Sequence, residues 1–173
     1  MRGSKFAHEA IAVGGTFDTL HVGHERLLSK AFSLGRIVFI GMSGDKLAAR
    51  LGKTHRVRSF PARKHDLATF LKSHGWLRRA RIVELKDSFG PATKRKSLEA
   101  LVVSEETREN GKKINALRQI RGLPPVRLYV VRLVKADDGI PVSVTRILRG
   151  EINAQGKSRS NPKQRRRRLQ GKS

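Results

Sequence analysis

Apolar residues along the chain fall into two alternating patterns. Short continuous runs, typical of buried strands, alternate with stretches where apolar residues recur every three or four positions, as on a helix face. The first run covers residues 10–13, and Leu27, Leu28, Ala31 and Phe32 then share one helical face. The whole pattern predicts strands at residues 10–13, 36–41, 80–85, 98–103 and 126–134, and helices near residues 24–32, 45–51, 61–71, 108–121 and 143–150.

The order of these elements predicts the fold class. Strands that alternate with helices favour a parallel sheet, so we expect a Rossmann-like three-layer α/β domain with a mostly parallel five-stranded sheet and helices on both faces. In such sheets ligands bind outside the carboxyl ends of the strands. Three turns, at residues 14–24, 104–107 and 143–146, are expected at that edge and should converge on one pocket.

The hydrophobic pattern stops at Ile152. A chain of 173 residues is long enough for one domain with a full core, so we predict a single domain over residues 1–152 and a disordered basic tail over residues 153–173. The tail contains eight Lys or Arg residues and no acidic residue. We expect it to bind nucleic acid weakly and without sequence specificity, although a solubilising role is an equally good interpretation.

Net charge and the absence of cysteine narrow the possible functions. The formal net charge of +24 favours polyanionic partners, whether phosphorylated small molecules or nucleic acid. No run of 18 apolar residues and no signal-peptide pattern occurs, so we predict a soluble cytoplasmic protein. Because the sequence contains no cysteine, disulfides, thiolate metal sites and cysteine nucleophiles are excluded.

The turn after the first predicted strand contains the main candidate binding and catalytic residues. His21 and His24 are three residues apart, so both rings project to the same side of the first helical turn. Unpaired backbone N–H groups and the helix dipole favour an anion there, and two imidazoles can add hydrogen bonds to phosphate oxygens. Glycines 14, 15 and 23 let a ligand approach the backbone, and Thr16 offers a further donor. The sequence therefore predicts a phosphate-binding turn.

Other interpretations of the two histidines are weaker. Zinc proteases place their histidines four residues apart with an intervening glutamate and need a third ligand, which is not obvious here. Two histidines that merely cap and pack at a helix start would not explain the Gly-Gly-Thr strand exit beside them. Neither a G-x-x-x-x-G-K-[ST] loop nor a G-x-G-x-x-G fingerprint occurs, so kinase-type and dehydrogenase-type functions lose their main support.

The turn with the two histidines and several later segments resemble motifs of a known enzyme family. Gly-Gly-Thr-Phe-Asp at residues 14–18, followed by His-Val-Gly-His at residues 21–24, resembles the signature of the HxGH nucleotidyltransferase superfamily. Residues 84–92, 101–107, 121–125 and 143–147 are similar to motifs of the archaeal and eukaryotic phosphopantetheine adenylyltransferases. The resemblance covers residues 10–152. It implies the transfer of AMP from ATP to 4′-phosphopantetheine, giving dephospho-coenzyme A and pyrophosphate, with Mg²⁺ carried by ATP rather than by protein ligands.

The resemblance also implies residue roles. His21 and His24 would contact the triphosphate, with His24 at the α-phosphate, and Thr16 would bind the acceptor phosphate or the α-phosphate. A lysine would bridge the two phosphates, for which Lys53 is favoured over Lys46. The remaining ATP contacts would come from Gly14, Gly15, Ser104, Glu105, Ser143, Thr145 and Arg146. Val144 replaces a serine of the family motif and offers only its backbone.

Several charged residues near the turn have two interpretations. Arg56 and Arg63 could bind the acceptor phosphate, but a solvated position in a basic segment is equally consistent with the sequence. Asp18 is expected to fix the turn rather than to act as a base, because the attacking phosphate is already ionised. Glu105 could lie beside the ribose or adenine, or could simply favour the start of the next helix.

Two further function classes remain open at this point. A related nucleotidyltransferase could use FMN or an alcohol phosphate as acceptor, although residues 84–107 argue against this. A basic RNA-binding protein could have kept the fold. One Tyr, one Trp and no aromatic stacking motif make that class less well supported.

Overall fold

A computed structural model describes residues 5–51 and 55–158 of the chain. Its five strands form one sheet in which every pairing is parallel, in the order β3-β2-β1-β4-β5. The strands are β1 (His8–Gly15), β2 (Gly35–Ser43), β3 (Ala80–Leu85), β4 (Ala100–Ser104) and β5 (Arg127–Val131). The predicted five-stranded Rossmann-like sheet is confirmed.

Five α-helices connect or follow these strands. They are α1 (Val22–Leu34), α2 (Asp45–Arg50), α3 (Phe60–Ser73), α4 (Arg108–Ile120) and α5 (Val144–Leu148). Each predicted helix is present, with ends within a few residues of those expected. The predicted loop between β3 and β4 contains a short 3-10 helix at Gly90–Thr93.

The hydrophobic core lies on both faces of the sheet. Ile11 and Val13 of β1 pack with Leu28 of α1 and Leu67 of α3 in one buried cluster. Successive residues of a strand point to opposite faces of the sheet. On the other face, Leu101 and Val103 of β4 pack with Ile114 of α4 and with Phe39 of β2. Helices α1 and α3 therefore cover one face, and α4 covers the other, as predicted.

Residues 153–158 correct the predicted boundary of the tail. Ile152 pairs with Ser158 in an antiparallel bridge, and the backbone N–H of Val22 donates to the carbonyl of Ala154 at 2.9 Å. The side chain of Asn153 accepts from the backbone of residues 155 and 157. The prediction of disorder is therefore wrong for these six residues, which pack against the start of α1. Residues 159–173 lie outside the described residues.

Candidate active site

The sheet order places a crevice at the carboxyl ends of β1 and β4. From β1 the chain continues to β2 on one side of that strand, whereas β4 and β5 lie on its other side. In open α/β sheets, ligands bind at the point where the strand order reverses in this way. A cleft of about 520 Å³ opens there. All three predicted turns line it: residues 14–18, 21, 23 and 24, residues 104, 106 and 107, and residues 143–145. Their predicted convergence on one pocket is confirmed.

His21 caps the N-terminus of α1. Its backbone is extended, with φ −146° and ψ 171°, and the backbone N–H of Gly23 donates to its Nδ1 at 3.1 Å. Burial lowers the pKa of His21 to about 4, so the ring is neutral at pH 7. Because Nδ1 accepts a hydrogen bond, the single ring proton lies on Nε2. His21 therefore offers the cleft a neutral N–H donor.

Gly23 is required by the position of the His21 ring. A Cβ atom placed on Gly23 would lie only 2.8 Å from Cε1 and 3.0 Å from Nδ1 of His21. The ring therefore rests directly on the backbone of the helix start. The glycine between the two histidines is what allows His21 to cap the helix and still face the cleft.

His24 stacks beside His21 and is supported by Phe17. The ring centroids of His21 and His24 are 4.0 Å apart, and the centroid of Phe17 is 5.1 Å from that of His24. Phe17 is fully buried and has a left-handed backbone with φ 51°, which is uncommon for a residue with a side chain. Strained backbone of this kind clusters at functional sites. Here it turns the chain sharply between β1 and α1 and places an aromatic ring beneath His24.

The turn after β4 is held together by hydroxyl groups. The backbone N–H of Ser104 donates to Oγ1 of Thr107 at 3.0 Å, and the two hydroxyls are 3.1 Å apart. Ser104 lines the cleft as expected, and so do Glu106 and Thr107. Glu105 does not: its carboxylate accepts from the backbone N–H of Leu133 at 3.0 Å. The structure therefore gives Glu105 a role in fixing the segment after β5 instead of the predicted ATP contact.

The start of α5 forms the third side of the cleft. Ser143 caps the helix by accepting from the backbone N–H of Arg146 at 3.4 Å, and Ser143 and Thr145 both line the cleft. Arg146 itself does not. Its guanidinium pairs with Asp138 and, through Nε at 2.9 Å, with Glu151. Two carboxylates hold its side chain in this structure, and the ATP contact of Arg146 stays a prediction.

Asp18 fixes the turn, in agreement with its expected role. The residue is 3% exposed, and its Oδ1 accepts from the backbone N–H of Arg58 at 3.0 Å. Nε2 of His55 lies 3.3 Å from Oδ2 of the same carboxylate. These contacts connect the turn after β1 to the segment that precedes α3. Both Asp18 and His55 line the cleft.

Arg63 does not have the position predicted for it. Its side chain is completely buried, and its guanidinium donates to the carbonyl oxygen of Arg58 at 2.8 Å and of Thr16 at 2.8 Å. Its Nη2 is paired with Asp45 at 2.9 Å. The predicted contact with the acceptor phosphate is therefore wrong, because Arg63 lies beneath the cleft and binds the protein's own backbone.

The other predicted cations that the structure describes lie outside the lining of the cleft. Arg56 is exposed and lines a second depression, between α2 and the segment before α3. Lys46 is exposed on α2. Lys53, the favoured bridging lysine, lies outside the described residues, so its role stays a prediction.

An apolar arm of the cleft was not anticipated from the sequence. Its lining includes Gly41 and Phe39 of β2 together with residues of the connection between β3 and β4. That connection, residues 86–98, contributes Phe89 and Arg95 to the lining. The signal that could have revealed the arm is its composition, because Phe89, Pro91 and Ala92 form an apolar group within a loop. The cleft therefore combines a polar end at the two histidines with an apolar part lined by Phe39 and Phe89.

Clustered metal ligands and membrane-spanning helices are both absent from the described residues. Across residues 5–51 and 55–158, no group of three or more His, Asp or Glu side chains lies close enough together to hold a metal ion. In the same described part of the chain, no helix is long and apolar enough to cross a membrane.

Lowering the pH from 7 towards 4 should destabilise the fold through His21. Its pKa is about 4 in the folded protein against an ordinary value of 6.5, so the unfolded chain binds this proton first as the pH falls. The stability that depends on neutral His21 is present above pH 6.5 and decreases between about pH 6.5 and 4. Urea denaturation of wild type and His21→Asn at pH 7 and pH 5 measures this effect.

Asparagine keeps a capping oxygen for α1 but does not titrate. The free energy of unfolding should therefore fall less between the two pH values in His21→Asn than in wild type. An equal fall in both proteins would show that His21 is not the group responsible.

Comparison with known proteins gives a consistent set of relatives. The cytidylyltransferase-like family matches residues 12–150. The chain is 39% identical over 152 residues to the phosphopantetheine adenylyltransferase of Methanothermobacter thermautotrophicus, covering 88% of this chain and 90% of that protein. It is 41% identical over 143 residues to the enzyme of the same name from Methanopyrus kandleri, covering 83% of this chain and 90% of that protein.

Solved structures show the same architecture. A protein of unknown function from Archaeoglobus fulgidus has a TM-score of 0.64 and 32% identity, covering 70% of this chain and 88% of that protein. A structure described as a putative nicotinate-nucleotide adenylyltransferase from Vibrio parahaemolyticus has a TM-score of 0.54. The match covers 86% of this chain and 83% of that protein. Its sequence identity is only 12%, so this second likeness supports the fold alone.

Proposed function

The chain belongs to the cytidylyltransferase-like family, and within it to the phosphopantetheine adenylyltransferases. We propose that it carries out the reaction of those relatives, in which AMP passes from ATP to 4′-phosphopantetheine to give dephospho-coenzyme A and pyrophosphate. The observation that carries the substrate assignment is the similarity to relatives of that name, which extends over 83–88% of the chain at 36–41% identity. The site geometry supports the chemistry independently.

The reaction requires two polyanions to meet. An oxygen of the acceptor phosphate attacks the α-phosphorus of ATP and forms a new P–O bond, while the bond from the α-phosphorus to the bridging oxygen breaks and pyrophosphate leaves with the electron pair. The protein needs to align the two phosphates and to stabilise the charge on the transferring group. No covalent enzyme intermediate and no protein base is needed.

The histidine turn fits that task. His21 presents Nε2–H as a neutral donor, because Nδ1 accepts from the backbone of Gly23. His24 stacks against His21 at the same helix start, where the backbone N–H groups of α1 also favour a phosphate. We assign His24 to the α-phosphate and His21 to the neighbouring phosphates. Donors fixed in this way stabilise charge without reorganising during the reaction.

The other predicted phosphate contacts form part of the same proposal. Gly14, Gly15 and Thr16 line the cleft where β1 ends, which suits contacts with the acceptor phosphate or the α-phosphate. Ser143 and Thr145 line it at the start of α5 and suit the outer phosphates of ATP. We propose that Lys53 bridges the two substrates and that Mg²⁺ enters with ATP. The apolar arm suits the uncharged part of the acceptor.

An acceptor panel tests the function. Purified protein with ATP and Mg²⁺ should release pyrophosphate when 4′-phosphopantetheine is added, and not when FMN or phosphocholine replaces it. The expected specificity follows from the relatives named phosphopantetheine adenylyltransferase and from the apolar part of the cleft lining. Release with FMN or phosphocholine alone would reject the acceptor assignment and leave the nucleotidyltransferase assignment intact.

Two of the broader predictions remain proposals. Weak nucleic-acid binding by the basic C-terminal residues is supported by their charge, with no acidic residue among residues 153–173. A cytoplasmic location also stays a prediction from the sequence.

A further inference from the structure

The outer wall of the apolar arm is a connection without strand partners. Residues 86–98 join β3 to β4, and their only regular element is the short 3-10 helix at Gly90–Thr93. Ala92 and Arg95 of this connection line the cleft. Because no sheet hydrogen bonds hold it, the position of this wall depends on contacts made by neighbouring side chains.

Arg118 of α4 makes such contacts. Its Nη1 donates to the carbonyl oxygen of Ala92 at 2.7 Å and of Arg95 at 3.0 Å. Its Nε donates to the carbonyl oxygen of Pro124 at 2.9 Å. One guanidinium therefore links two points of the cleft wall to α4 and to the segment that leads into β5.

The surroundings of Arg118 are unusual for a cation. The side chain is completely buried, and none of the ion pairs among the described residues includes it. Backbone carbonyl oxygens accept from its Nε and Nη1, whereas Nη2 is buried without a hydrogen-bond partner in the described part of the chain, and burial lowers the pKa of its guanidinium from the ordinary value. A buried charge without an acidic partner is costly. An apolar residue could fill the same space but would leave these carbonyl oxygens without their donor, so the hydrogen bonds to the wall are what the arginine adds.

The anchored wall carries a side chain of its own into the arm. The guanidinium of Arg95 lies 4.1 Å from the ring centroid of Phe39, on the sheet face that forms the floor of the arm. The carbonyl of Arg95 is one of the two that Arg118 holds. Arg118 therefore holds the backbone of the residue whose side chain covers Phe39.

We propose that Arg118 is a positioning residue for the acceptor substrate. It holds the wall of the apolar arm at Ala92 and Arg95, and so sets the width of the groove that receives the uncharged part of 4′-phosphopantetheine. The phosphate-binding end is built on the starts of α1 and α5, which Arg118 does not contact. Its loss should therefore weaken binding of the acceptor and leave binding of ATP nearly unchanged. This inference rests on the proposed function.

The test is a kinetic comparison of Arg118→Met with wild type. Methionine keeps most of the buried volume but donates no hydrogen bond. The KM for 4′-phosphopantetheine should rise by about 10-fold or more, since small displacements of positioning groups have effects of that order, while the KM for ATP changes little. Arg118→Lys keeps the charge, but its single ammonium nitrogen cannot occupy the positions of both Nε and Nη1, so its KM for the acceptor should rise as well.

A matched control is available on the same helix. Asn115 joins α4 to Val126 through two hydrogen bonds of 2.9 and 2.8 Å and does not line the cleft. Asn115→Ala should lower the melting temperature without changing the KM for either substrate. Hydrogen exchange provides a readout besides activity, because the backbone of residues 86–98 should exchange faster in Arg118→Met than in Asn115→Ala.

The outcomes separate this inference from the proposed function. An unchanged acceptor KM and unchanged exchange at residues 86–98 in Arg118→Met would overturn the inference while the function stands. If wild type used another acceptor instead, the proposed function would be rejected. The effect of Arg118→Met on the KM for that acceptor, and on hydrogen exchange at residues 86–98, would then test the role of Arg118 in the same way.

Discussion

Replacing His24 with alanine should lower kcat by about 10²-fold or more, the effect typical of losing one fixed donor to developing charge. The melting temperature should change by only a few degrees, because the ring is half-buried at the edge of the cleft and not in either core cluster. Steady-state kinetics with ATP and 4′-phosphopantetheine, together with thermal denaturation, measure both quantities. The combination of a large kinetic effect with a small thermal one is expected only for a group that acts on the reacting phosphates.

Two control variants sharpen this result. His24→Gln keeps an amide N–H that can reach a similar position, so it should recover part of the lost kcat. His8→Ala removes a histidine at the opposite edge of the sheet, where the ring contacts Glu99 and Tyr129, and should leave kcat near the wild-type value. A fully active His24→Ala enzyme would exclude His24 from the reaction.

Replacing Arg63 with methionine should lower the free energy of unfolding by about 3 kcal/mol, as expected when a buried, hydrogen-bonded charge is removed. The variant leaves the carbonyl oxygens of Arg58 and Thr16 without their donor and Asp45 without its buried partner. The melting temperature should fall by roughly 10 °C for a domain of this size. Chemical and thermal denaturation at pH 7 test this prediction.

Arg56 supplies the matched comparison. It lies in the same basic segment, but its side chain is exposed, so Arg56→Met should change stability by no more than about 0.5 kcal/mol. If Arg63→Met were as stable as wild type and instead showed only a raised KM for the acceptor, the original prediction of an acceptor contact would be right and the buried role wrong.

Most of the fold could be predicted because its signals are local. Residues 10–13 and 37–40 are continuous apolar runs, and Leu27, Leu28 and Ala31 repeat at helical spacing, so each element is evident within a few turns of chain. The parallel pairing of the strands then follows from the alternation of strands and helices. The segment at residues 153–158 was missed because its signal is turn chemistry without hydrophobic periodicity. Asn153 provides the side-chain acceptor, and Gly156 adopts φ 78°.

The site was predictable where one short turn builds it, and not where distant segments meet. His21 and His24 lie three residues apart on one helix start, so sequence spacing alone places them together. Arg63 shares the helical face of Leu67 and Leu71, a signal of burial that the basic composition of its segment concealed. The carboxylates that hold Arg146 are close in sequence, but they lie in a turn and after a helix, so no regular spacing marks the contacts.

The apolar arm depends even more on long-range contacts. It forms where residues 86–98 cross the face of β2, and no local spacing connects that loop to Phe39. In the sequence, Arg118 likewise resembles an exposed basic residue on a charged helix. Its spacing from Gly111 and Ile114 nevertheless places it on the buried face. Charged residues on an apolar helix face were the signal that the sequence contained.

Transfer of the α-phosphorus tests the central claim most directly. Protein incubated with α-³²P-labelled ATP, Mg²⁺ and 4′-phosphopantetheine should move the label into dephospho-coenzyme A and release unlabelled pyrophosphate in equal amount. Label that appears only in free AMP, or that stays in ATP whichever acceptor phosphate is supplied, would contradict the account.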